Sequence, residues 1–200
     1  MADALPPQLS DAELVAQAQQ GITSAFDQLV LRHSPKLYAL IYHMTSHRED
    51  THDLLQDVFA KAYRSLGRFR GQSQFYTWLY SIATNMTLNF LKKRKRRSQS
   101  LSLSLDDLDS GIERDVDFIA ATSARSPQKE TELKELQKRL NEAMQTLSED
   151  HRAVVVMYDI QGLPHAEISR IVGASEGTVR SRLFYAHRQL QSFLDEFWKP

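Results

Sequence analysis

Residues 69–97 read FRGQSQFYTWLYSIATNMTLNFLKKRKRR and gather rings, amides and six consecutive basic side chains. At helical spacing Trp78, Ser81, Asn85, Asn89, Lys92 and Arg96 fall on one face. Amides read base edges, an aromatic ring stacks on an unpaired base, and Lys and Arg track phosphates. Phe69, Arg70, Phe75, Tyr76 and Tyr80 add to the group at the start of the stretch. Plainer readings exist: aromatic clusters are more often core, and cations suit a helix C-terminus. Six cations in a row exceed what a helix end requires, so phosphate contact is the better reading. A second set lies at 180–188, where Arg180, Ser181, Phe184, Tyr185 and Arg188 point away from Val179, Leu183, Ala186 and Leu190. Arginine reads guanine with two donors, and an aromatic or methyl group can touch thymine.

Helices must carry both sets, because nearly every patterned stretch has helical periodicity and none reads as a strand. The fold class expected is all-α, with two small helical domains joined by a flexible acidic linker. The domains are 1–97, linker 98–126 and 127–200, each domain with its own small core. A capping box at Ser10-x-x-Glu13 opens the first helix, which stops at Gly21. The second starts near Ser24 and is interrupted at Pro35, with Ser34 as the cap of its continuation. Ser46-x-x-Glu49 is a second capping box, opening a helix with Leu55, Val58, Phe59, Ala62 and Leu66 inward. The 74–97 helix should bury Phe75, Leu79, Ile82, Met86 and Phe90. Ser98 to Ser126 is Ser- and Asp-rich, as linkers are. Ser126-Pro127 then opens a helix with the stripe Leu133, Leu136, Leu140, Met144 and Leu147. Another begins after Ser148 and ends at Gly162. Pro164 to Val172 and Glu176 to Phe193 are separated by Gly173-Ala174-Ser175. Gly173 supplies the positive φ of a sharp turn and Ser175 caps the last helix, the layout of a helix-turn-helix.

Composition narrows the function classes. The chain has 200 residues, 25 Lys and Arg against 25 Asp and Glu, and no cysteine. Zero net charge therefore hides a local basic block followed by an acidic stretch. Absence of cysteine excludes disulfides and thiolate metal sites and fits a reducing compartment. No apolar run approaches the roughly 20 residues of a membrane helix, so a cytoplasmic location without membrane insertion is expected. His43, His47 and His52 could be imagined as metal ligands, but no clustered carboxylate completes a site, and surface or helix-end histidines are the better reading. No catalytic residue, metal or cofactor is expected.

Three segments, in order, carry a resemblance. DLLQDVFAKAYRSL (53–66), FRGQSQFYTWLYSIATN (69–85) and GTVRSRL (177–183) resemble the extracytoplasmic-function (group four) sigma factors of bacterial RNA polymerase. The resemblance implies transcription initiation at specific promoters, with catalysis left to the polymerase. It implies that Asp53, Gln56, Asp57, Lys61 and Arg64 dock on the coiled-coil clamp of the polymerase largest subunit. The minus-ten element would be read as melted single strand by Phe69, Arg70, Gly71, Gln72, Ser73, Asn85 and Asn89, with Lys92 and Arg96 alongside. Trp78 and Tyr80 would support that pocket from below. The minus-thirty-five element would be read as duplex by Thr178, Arg180, Ser181, Phe184, Tyr185 and Arg188. The acidic linker would lie in the RNA path of the polymerase. Promoter DNA and core RNA polymerase are thus the implied partners. An anti-sigma protein joins them as a candidate, because members of the group are often held inactive by one.

The chain departs from the family pattern at Tyr185 and His187, where arginines are usual, at Pro164, where a serine cap is usual, and at Ser81, where a basic residue is common. These departures bear on the promoter sequence rather than the role. An ordinary helix-turn-helix repressor or activator remains the competing reading. It accounts for the second domain but leaves the ring–amide–cation helix without a job.

Overall fold

A computed structural model describes residues 9–102 and 138–198, with the side chains of 98–102 and 196–198 outside the description. All regular structure among the described residues is helical. Helix α1 spans Asp11–Gln19, α2 Thr23–Thr45, α3 Arg48–Ser65 and α4 Phe75–Ser102. A 3₁₀ turn, Leu66–Arg68, follows α3. After residues outside the description come helical residues 138–146 (α5), α6 Glu149–Val155, a π-helical turn Val156–Ile160, α7 His165–Val172 and α8 Glu176–Trp198. The expected cap at Ser126-Pro127, the positions Leu133 and Leu136, and most of the proposed linker lie outside the described residues.

Local chemistry sets several boundaries where the sequence placed them. Ser10 and Glu13 form the reciprocal capping box. Ser148 accepts from the His151 amide at 3.3 Å and opens α6. Gly173 closes α7 at φ 64°, and Ser175 accepts from the Thr178 amide at 3.1 Å. Other expectations are corrected. Pro35 does not interrupt α2, which runs through it. Proline withholds a donor from the carbonyl four residues back, and both Pro35 and Leu31 lie on the exposed side, where water can serve that carbonyl. Ser46 is not a cap for α3: it ends α2 in the left-handed region at φ 52°, and the His47 ring accepts from the Asp50 amide instead. Helix α4 continues through residues 98–102, which the sequence placed in the linker. Leu140, expected in the inward stripe, is 45% exposed, whereas Met144 and Leu147 are buried.

The expected inward stripe of α4 is rotated. Phe75 and Leu79 are buried as expected, but Ile82, Met86 and Phe90 are only partly covered. Tyr80, Ala83, Thr84, Thr87 and Leu91 are buried instead. Helix α4 packs not only on α2 and α3 but also against α6 and α7 of the second domain, which adds to what covers it. Two separate small cores were expected. Among the described residues there is one contiguous core, running from Leu14, Leu29 and Leu40 through Leu79 to Met157, Ile168 and Val179. A fully buried side chain of this size contributes about 1.5–3 kcal/mol.

Arg152 of α6 joins the two halves. It is 5% exposed, and its guanidinium donates to the carbonyls of Met144 (2.8 Å), Gln145 (3.1 Å), Leu147 (3.1 Å) and, across from α2, Met44 (2.7 Å). Burial pushes its pKa down to about 10, so it remains charged at neutral pH. Arg152→Ala would orphan four acceptors, so a loss of about 3 kcal/mol or more is expected from urea unfolding. A variant as stable as the parent would show that water replaces the guanidinium there.

Candidate nucleic-acid interface

The loop between the 3₁₀ turn and α4 is pinned at its base. Phe69 lies with its ring centroid 5.0 Å from Trp78 and 6.0 Å from Phe75, and Phe75 in turn meets His33 at 5.5 Å. Gln19 donates its side-chain amide to the carbonyls of Leu66 and Phe69, both at 2.9 Å. Above this anchor Arg70, Gly71 and Gln72 are exposed and Ser73 is half-exposed. Gly71 takes φ 67°, a turn that a side chain would strain.

From the loop, the stripe along α4 runs from packed to bare. Trp78 and Ser81 are partly buried, whereas Asn85, Asn89, Lys92 and Arg96 are exposed. Tyr80 is 3% exposed and contributes packing, not a contact surface. Burial, followed by the charge of Tyr76, pushes its pKa up to about 12. Within the basic block Arg94 has a structural job, reaching Asp50 at 3.0 Å and lying 5.8 Å over the Phe90 ring. The plainer reading of the rings as core therefore holds for Phe75 and Tyr80, while the amides and most cations remain at the surface.

On α3 the apolar positions Leu54, Val58, Phe59 and Ala62 are buried, and Asp53, Gln56, Asp57, Lys61 and Arg64 are all exposed opposite them. On α8, Val179, Leu183 and Ala186 are buried against the core. Thr178, Arg180, Ser181, Phe184, Tyr185 and Arg188 are exposed. Phe184 and Tyr185 are 62% and 56% exposed, edge to face at 5.5 Å. Thr178 has its hydroxyl 2.9 Å from Ser175, and Arg180 is steadied by Glu176 at 3.1 Å.

Sequence reasoning missed the contacts that orient α8. Arg182 reaches Asp150 at 3.2 Å, His187 reaches Asp159 at 2.7 Å, and Gln189 donates to the Thr146 carbonyl at 2.9 Å. Each partner is some thirty to forty residues away, so no local pattern announces it. The three histidines once weighed as metal ligands have other surroundings. His47 caps α3, His52 lies 5.0 Å from the Tyr38 ring, and burial holds the His43 pKa below its ordinary value. No group of three or more His, Cys, Asp or Glu among the described residues is placed to hold a metal.

With this geometry in place, comparison with known proteins is informative. Residues 29–97 match the family model for Sigma-70 region 2, and residues 137–190 that for Sigma-70 region 4. The RNA polymerase sigma-H factor of Pseudomonas aeruginosa is 35% identical over 187 residues, covering 94% of this chain and 95% of that protein. The ECF RNA polymerase sigma-E factor of Haemophilus influenzae is 36% identical over 189 residues, covering 92% and 95%. The chain belongs to the extracytoplasmic-function sigma factors. A solved structure of CnrH, in complex with the cytosolic domain of CnrY, superposes with a TM-score of 0.65. It is 25% identical and spans 93% of this chain and 97% of that one. The sigma factor thus directs promoter-specific initiation with RNA polymerase, and no helix among its described residues is long and apolar enough to cross a membrane.

The anchor of the loop generates a direct test. Gln19→Ala removes two hydrogen bonds at a partly exposed site, so it should cost only about 1 kcal/mol in stability. Amide exchange at residues 70–73 should nevertheless quicken relative to the core. Unchanged exchange there would show that Phe69 alone holds the loop.

Proposed function

We propose that the sigma factor reads two promoter elements by different physics. Its first domain, 1–97, binds the minus-ten element as melted single strand through the anchored loop and the bare amides of α4. Its second, 127–200, reads the minus-thirty-five element as duplex through the exposed face of α8, with 98–126 as linker between them. The observation that carries the reading is the division of α4: rings packed at its start, Asn85 and Asn89 open further along, and Lys92 and Arg96 one and two turns beyond them. An extruded base costs a few kcal/mol of unstacking, which amide hydrogen bonds and ring contacts must offset. On α8, Arg180 is the candidate bidentate reader, and Tyr185 can pack on a thymine methyl but cannot supply an arginine's fork of donors.

Docking on the clamp coiled coil of the polymerase is proposed for Asp53, Gln56, Asp57, Lys61 and Arg64. Their exposure on a helix whose other side is buried supports it. An anti-sigma protein is proposed as a further partner; the similar CnrH was solved with the cytosolic domain of CnrY bound. A duplex-only repressor leaves the α4 stripe unused, so the two-element reading is preferred.

Run-off transcription with core polymerase, with and without this protein, tests the reading as a whole. Asn85→Ala and Asn89→Ala should impair opening of duplex promoters, read as thymine reactivity to permanganate, and a pre-melted template should restore only the opening step. Normal reactivity in both variants removes the amides from base reading. Replacing Asp53, Gln56 and Asp57 together with alanine should weaken co-purification with core enzyme, while stability changes by under about 0.5 kcal/mol per site. Undiminished co-purification would move the docking face elsewhere.

A further inference from the structure

Two basic side chains among the described residues are buried, Arg152 and His33, and the second has no part in the reading above. His33 lies on α2 with its ring centroid 5.5 Å from that of Phe75, the first residue of α4. Its Nε2 is 2.8 Å from the Asp11 carboxylate of α1. The other oxygen of that carboxylate accepts from Arg32 at 2.5 Å, and Arg32 also donates to the Leu9 carbonyl at 2.8 Å. Arg32 is exposed, and surface pairs of its kind contribute little. The His33 arm differs, because a buried ring nitrogen left without a partner forfeits its hydration without return.

Phe75 belongs to a cluster of three rings. It lies 6.0 Å from Phe69 and 5.7 Å from Trp78, and those two are 5.0 Å apart. Asp11 therefore reaches the support of the 70–73 loop in two steps, through His33 and then Phe75. The other end of the same helix reaches it directly, since Gln19 donates to the Leu66 and Phe69 carbonyls. Asp11 and Gln19 are the first and last residues of α1, about 12 Å apart along the helix axis. Between them Leu14, Val15 and Ala18 are buried, which seats α1 on the core. A helix to which no base-reading side chain is assigned thus holds the loop's support at both ends.

We propose that α1 is a clip that preforms the minus-ten loop, with Asp11 and His33 as positioning residues for the Phe75 ring. The inference rests on the base-reading role given to that loop above. Arg70, Gly71 and Gln72 are exposed, so the loop takes its shape from Phe69 at its start and Phe75 beyond its end. Both rings answer to α1, one through the Gln19 bond to the Phe69 carbonyl and the other through Asp11 and His33. Each backbone residue that must be ordered at the moment of capture lowers affinity about five- to thirtyfold. A loop already held in its bound shape avoids that loss, which is the general advantage of preorganisation.

The test uses the full chain bound to core polymerase, and a single-stranded oligonucleotide that the parent holoenzyme selects from a random pool. Asp11→Ala should weaken binding of that oligonucleotide about tenfold, while association with core polymerase stays within about twofold. Asp11→Asn should restore binding, because an amide can meet the His33 Nε2 as acceptor or as donor. Arg32→Ala removes only the exposed arm and should leave binding within about twofold of the parent. Val154→Ala, a truncation of a buried residue in the second domain, shows what general loss of stability does to binding. Amide exchange at residues 70–73 of the free protein should quicken in Asp11→Ala and His33→Phe and keep the parent rate in Asp11→Asn. His33→Phe retains a ring against Phe75 without the bond to Asp11, and it replaces Asp11→Ala in both measurements if that variant does not fold. Parent-like binding and exchange overturn the proposal, and so does an equal loss of binding in Val154→Ala. A parent holoenzyme that selects no sequence instead rejects the promoter reading, and the exchange rates alone then decide whether α1 clips the loop.

Discussion

Taking a guanidinium ion out of water forfeits several kcal/mol of hydration, and at Arg152 the charge of Glu149 is not alone in offsetting that loss. Four backbone carbonyls do so, three from the last turn of α5 and the residue after it and one from the end of α2. The turn residues would otherwise present unpaired acceptors at a helix junction, and the guanidinium would lose these four acceptors. Each half of the arrangement makes the other tolerable. Because α6 is fixed this way, Asp150 and Asp159 stand where Arg182 and His187 of α8 can reach them. The orientation of the last helix therefore descends from a buried cation more than one turn of chain away.

Much of this architecture was legible from local rules. Glycine at 173 and serine at 175 specify a turn and a cap through their own backbone and side chain, with no need of distant partners. The buried positions of α3 and α8 follow a simple period because each helix has one covered side. Legibility failed where a second body entered. On α4 the period of large apolar residues pointed to Ile82, Met86 and Phe90, but the helix packs on α2, α3, α6 and α7, and Ala83, Thr84 and Thr87 are buried instead, residues whose size gives no hint. At Ser46 a matching capping-box pattern was overridden because the chain leaves α2 through a left-handed residue there, so the next residue becomes the cap. The exposed amides, cations and rings of the candidate interface were legible as types on a face. Their settings were not: Gln19 under the loop, Glu176 beside Arg180 and Asp159 beside His187 are contacts that only folding reveals.

Helix α8 separates two kinds of residue with little overlap. Val179, Leu183 and Ala186 are buried, and Arg182, His187 and Gln189 bind it to neighbouring elements. Arg180, Ser181, Phe184, Tyr185 and Arg188 lie outside both groups, and exchanging such surface positions alters stability by little more than about 0.5 kcal/mol. Mutations there meet almost no purifying pressure from folding. On the proposed reading of this face as the promoter contact, descendants of one ancestral gene could acquire new sets of target genes by drift in a handful of codons, each intermediate still a folded protein.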